Sequence, residues 1–145
     1  MKNTRGFTLI EIILVTAMTA ILAGGAFMIF SSFLMNTQLD DTAQGALSAL
    51  RKARINSVVR LYDLQWGVYF DDTASRFTFF GGNAYASRNT QYDEVTNLAS
   101  SLSYSQISLS GGGKEVVFGK VAGDTAQYGT VKIRSTSGRE KTLTI

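Results

Sequence analysis

At 145 residues the chain has room for one domain and an appendage. It contains no cysteine and no histidine, which excludes disulfide scaffolds, thiolate zinc sites, cysteine nucleophiles and every histidine-based triad. The formal net charge is +3, with Lys2 and Arg5 supplying two of those charges, so the calculated pI near 9.3 overstates any nucleic-acid signal.

The chain opens on a short basic head, Met1–Arg5, followed by Gly6 and then Phe7-Thr8-Leu9-Ile10-Glu11. From Phe7 to Leu39 Glu11 is the only charged residue. This apolar run is too long for the core of a secretory signal, and about 20 residues suffice to cross a bilayer as a helix. Small residues at Ala17, Ala20 and Ala23 keep conventional signal cleavage open, and an uncleaved signal anchor held by its basic head is the plain alternative. Neither accounts for Glu11. An acid isolated in such a segment costs about 2.5 to 3.5 kcal/mol on insertion scales and marks function and a partner by default.

No proline occurs anywhere, so the helix that begins near Phe7 meets no strong terminator. After Met35 the pattern becomes amphipathic. Leu39, Ala43, Ala46, Leu47, Leu50, Ala53 or Arg54, Val58 and Leu61 recur at helical spacing. One helix from about Phe7 to about Arg60 is expected, apolar all round in its first half and one-sided in its second. Gly24, Gly25 and Gly45 interrupt it. They read either as places of close helix–helix approach or, at Gly24-Gly25, as a soft spot.

Beyond Leu61 the period shifts to two. Strands are expected at Gln65–Phe70 and Arg76–Phe80 around an Asp71-Asp72 turn, then a polar, irregular surface loop from Asn83 to Asn97. Further strands follow at Ser103–Leu109, Glu115–Phe118, Tyr128–Ser135 (Val131 and Ile133 inward) and Lys141–Ile145 (Leu143 and Ile145 inward). Six short strands make the expected fold α+β: a long N-terminal helix packed on a C-terminal antiparallel sheet or small sandwich. The paired acids Asp40-Asp41, Asp71-Asp72 and Asp93-Glu94 read as solvated faces and turns, since two carboxylates fall short of a calcium cage. Gly111-Gly112-Gly113-Lys114 lacks the spacing of a phosphate loop. No catalytic motif and no cofactor or metal site is expected, so the chain does not read as an enzyme.

The segment Gly6-Phe7-Thr8-Leu9-Ile10-Glu11 behind a basic leader resembles the processing site of type IV pilins and of the pseudopilins of type II secretion. The resemblance implies a leader of residues 1–6, cleavage by a prepilin peptidase between Gly6 and Phe7, and methylation of the new Phe7 amine. It further implies a transmembrane or filament-core half at 7–35, an amphipathic half at 36–61 and a globular β domain at 62–145. Glu11 of one subunit would pair with the Phe7 amine of a neighbour, since an opposite charge keeps a buried carboxylate ionised. The implied partners are homologous pilin subunits in a helical filament, the peptidase, an assembly platform membrane protein, an assembly ATPase and, before assembly, membrane lipid. The implied location is a single pass of the inner membrane with the β domain outside, then a periplasmic or extracellular filament. The proline that disrupts this helix in many major pilins is missing here, as is their cysteine pair; Gly24-Gly25 is the candidate substitute for the proline. The hairpin after the helix and the final strand pair resemble H-type minor pseudopilins and FimT-like minor pilins; some FimT-like minor pilins bind DNA, and the resemblance implies as an alternative a minor subunit whose β domain binds DNA or an exported substrate. In this chain Lys132, Arg134, Arg139 and Lys141 would form such a patch, against the plainer reading of a solvated sheet edge.

Overall fold

The computed structural model describes residues 6–145, apart from the side chains of residues 26–29. The basic head of the expected leader, Lys2 to Arg5, lies outside the described residues. Contacts divide the chain into two compact units, one ending at Leu34 and one spanning Met35–Ile145. A single helix, α1 (Leu9–Val58), contributes to both.

In the first unit α1 is apolar and solvent-facing. Leu9 and Ile10 are exposed, as are Ile12, Ile13, Leu14 and Val15. The helix is long and apolar enough to cross a membrane by length and composition. Its two threonines fold back on the backbone: Thr16 Oγ1 donates to the Ile12 and Ile13 carbonyls, each at 2.9 Å, and the Thr19 hydroxyl donates to Val15. Both hydroxyls are thereby satisfied without water. A side chain added at Gly24 or Gly25 would meet nothing within 4 Å.

In the second unit one stripe of α1 is buried: Leu39, Ala43, Ala46, Leu50, Ala53 and Ser57. The expected stripe continued to Val58 and Leu61, but both are exposed. Stepping by three and four from Ala53 reaches Ser57, whose hydroxyl is buried because it has backbone partners. Ser57 Oγ accepts the Trp66 N–H at 2.8 Å and lies 3.5 Å from the Trp66 carbonyl. The helix ends without glycine or proline. Arg60 takes the left-handed conformation (φ 53°) that closes a helix, and Tyr62 and Asp63 (φ 56° and 53°) follow in a 3₁₀ turn, Leu61–Asp63. Each such non-glycine residue costs about 1–3 kcal/mol, offset here by the packing of the elements it joins.

Seven strands follow, all pairing antiparallel. The strands β1 (Trp66–Asp71), β2 (Arg76–Gly81), β3 (Asn89–Asn97) and β5 (Glu115–Phe118) form one sheet in the order β3-β2-β1-β5. The strands β4 (Leu102–Leu109), β6 (Gly129–Ser135) and β7 (Glu140–Thr144) form a second in the order β4-β6-β7. The fold is α+β, as expected. Its core joins the α1 stripe to Trp66, Val68, Phe70, Phe77 and Phe79 of the first sheet and to Val131, Ile133 and Leu143 of the second.

One expectation fails in the β domain. The segment 83–97 is not an irregular loop: it holds a 3₁₀ turn, Tyr85–Ser87, and the nine-residue β3. β3 is polar and exposed along most of its length because it is a sheet edge, so backbone pairing to β2 defines it rather than an alternating apolar face. The strand count is therefore seven, not six. In β4, Tyr104 pairs with Ile133 and Gln106 with Lys132, leaving Ser105 as an extra residue. That bulge shifts the inward parity, so Leu102 and Tyr104 before it and Ile107 and Leu109 after it all turn towards the core.

Candidate functional site

Thr8 and Glu11 build the start of α1 between them. The Thr8 hydroxyl accepts the Glu11 N–H at 3.3 Å, and the Glu11 carboxylate accepts the Thr8 N–H at 3.5 Å. This reciprocal pair is a capping box, with Thr8 as the N-cap and the acid three residues on. The carboxylate also complements the positive end of the helix dipole. Reading Glu11 only as one half of a charge pair misses this role, although the Thr-x-x-Glu spacing announces it. Among the described residues Glu11 has no cationic partner. Phe7 is 80% exposed, and a side chain at Gly6 would meet nothing within 4 Å. Among the described residues no packing requires glycine at position 6 or an aromatic ring at position 7.

The four basic residues of the last hairpin lie on β6, β7 and the turn between them but do not share one face: Lys132 and Arg134 stand together, whereas Lys141, opposite the buried Ile133, turns to the α1 side. Two of them are engaged: Arg134 Nε lies 2.8 Å from Glu140 Oε1, and Lys141 Nζ lies 2.6 Å from Asp40 Oδ1. The Lys141 hydrogen bond and charge hold the Asp40 carboxyl below its usual range. Lys132 and Arg139 make no ion pair among the described residues. Lys132 and Arg134 also line a polar hollow of about 480 Å³ with Tyr104, Gln106 and Glu140.

Of the paired acids of the β1–β2 turn, Asp71 serves the turn itself and Asp72 ties it to the residue before β5. Asp71 accepts the Ala74 N–H at 3.0 Å and pairs with Arg76 at 3.3 Å, while Asp72 pairs with Lys114 at 2.5 Å. Among the described residues no group of three or more acids, histidines or cysteines could hold a metal. One feature had no signal in the sequence: an apolar hollow of about 350 Å³ beside α1, bounded by Phe118 of β5 and by Thr144 and Ile145 at the end of β7, with Leu47, Leu50 and two arginines (Arg51 and Arg54) along the helix.

Residues 1–27 match the family model described as the prokaryotic N-terminal methylation motif. The structure resembles that of the minor pseudopilin EpsH from the type 2 secretion system of Vibrio cholerae, with a TM-score of 0.50 and 14% identity, over 74% of this chain and 97% of that one. At that identity the likeness is one of fold. No curated protein matches the chain.

Proposed function

We propose that this chain is a structural subunit of a type IV pilus-like or type II secretion pseudopilus filament, processed at its N-terminus and assembled through α1. Motif and fold together support a type IV pilin or pseudopilin: the methylation motif occupies the start of the chain, and the remainder has the layout of a minor pseudopilin. The observation that carries the reading is the junction at Gly6-Phe7. Among the described residues no contact calls for the glycine or the phenylalanine, and both stand directly before a capped helix whose first half is apolar but for Glu11. A peptidase that needs a small residue and an accessible peptide there explains both.

In this reading residues 1–6 are removed, the Phe7 amine is methylated, and the apolar half of α1 anchors the subunit in the inner membrane with the β domain outside. On assembly that half leaves lipid for a filament core. Glu11 then faces the Phe7 amine of a neighbour, a pairing whose chief contribution is register rather than net stability. The partners are other pilin-like subunits, a prepilin peptidase and an assembly platform protein. Mass spectrometry of the mature chain tests the first step. A chain beginning at N-methylated Phe7 is expected; an intact Met1, or a cut beyond Ala23, overturns the reading.

A further inference from the structure

Two exposed faces of α1, both within the second unit, carry complementary residues at identical spacing. Asp41, Gly45 and Ser48 stand at i, i+4 and i+7; Arg51, Ile55 and Val58 stand at i, i+4 and i+7 ten residues later. The first set is acidic and then small, the second basic and then bulky. All six are exposed, Ile55 by 61% and Val58 by 42%. Among the described residues neither Asp41 nor Arg51 makes an ion pair, although seven other pairs form.

Gly45 is the most informative of the six. Glycine inside an exposed helix costs about 1 kcal/mol relative to alanine. Here an added Cβ would sit 3.7 Å from Phe77 Cζ, an ordinary contact, so the fold of the single chain does not need glycine there. Gly45 and Ser48 instead line a hollow of about 250 Å³ whose far wall is Phe77 and Phe79. An absent side chain leaves room for one supplied from outside.

We infer that α1 of a second copy docks here in parallel, advanced by ten residues, so that Arg51 meets Asp41, Ile55 enters the hollow at Gly45 and Val58 lies on Ser48. Ten residues correspond to an axial stagger of about 15 Å. The inference rests on the filament reading, which sets the helices parallel. The two faces are different surfaces of one chain, so the contact is heterologous and leaves a free face at each end for the next copy, as an open filament requires. Neither the acid nor the hollow needs a different protein to complete it.

Because the chain has no cysteine, cross-linking reads the contact directly. Full-length chains bearing Ser48→Cys and Val58→Cys are co-expressed with distinguishable tags, and filaments are oxidised. A disulfide between the two differently tagged chains is expected. Only like-tagged dimers, adducts to another protein, or no cross-link in filaments that contain both chains would overturn the docking and leave the filament reading standing. As a second measurement, Asp41→Lys sets a lysine against Arg51, and Arg51→Glu sets a glutamate against Asp41; each should cut incorporation by at least about tenfold. The double swap should restore it. Two defective single variants without restoration in the double would sink the pairing. Wild-type chains absent from every filament would overturn the proposed function, and this contact with it.

Discussion

At Thr8 and Glu11 the structure separates two roles that an alanine substitution would confound. The glutamate caps its own helix and is also the acid proposed to meet a neighbour's amine. Glutamine serves the same position of a capping box, so Glu11→Gln keeps the cap and deletes only the charge. If the charge aligns subunits, the glutamine variant should fold, insert and be cleaved normally yet enter filaments about tenfold less well or worse, because the amine it should meet is left without a counter-charge. Quantifying the subunit in sheared filaments against the membrane pool measures this. Equal incorporation would assign Glu11 to capping alone. The leader junction and the acid were legible in the sequence because they depart from what an apolar segment tolerates. The cap is a local backbone device, carried by the Thr8-x-x-Glu11 spacing and not by apolar period or charge burial.

Between elements, legibility follows the kind of interaction. The α1 boundaries and six of the strands could be read from apolar period because side-chain burial defines them. β3 could not, since an edge strand with mostly exposed polar residues is set by backbone pairing to β2 and by isolated contacts, Tyr92 on Tyr62, Asp93 with Arg88 and Glu94 with Lys52, that carry no apolar period. The end of the buried helical stripe was misplaced for a related reason: apolar periodicity favours Val58, while the buried residue is Ser57. That serine ties the last turns of α1 to the first residue of β1. Ser57→Ala removes the acceptor of a buried N–H and should cost about 1–3 kcal/mol. Trp66 is the only tryptophan and is the residue bonded to Ser57, so denaturation followed by its fluorescence reports the joint directly. An unchanged denaturation midpoint would show that another acceptor replaces the hydroxyl. Ser57→Thr, which retains the hydroxyl, distinguishes a lost hydrogen bond from altered packing.

Across residues 35–145, exposed ion pairs join elements distant in sequence: Lys141 with Asp40, Lys120 with Asp63, and Lys114 with Asp72. In each pair the lysine hydrogen bond leads in holding the carboxyl below its usual range. A carboxyl depressed in the folded state contributes stability above its unfolded value, about 3.9 for aspartate, and that contribution is lost as pH falls through the lower folded value. At the alkaline end the signs reverse. The Asp72 hydrogen bond raises Lys114, and burial, with Asp71 and Asp72 nearby, raises the Tyr104 hydroxyl that donates to the Arg76 carbonyl at 3.2 Å. Their stabilisation is complete below the unfolded values, about 10 for both residue types, and is lost as pH rises through the folded ones. No histidine titrates between these limits. The urea midpoint of the processed chain should therefore be flat from about pH 5 to 8 and fall below about pH 4 and above about pH 10. Added salt should shrink the acid-side loss, because the pairs are solvent-exposed and screened. A midpoint that changes by a measurable step near neutrality would mean that some group outside these pairs governs the stability of the β domain.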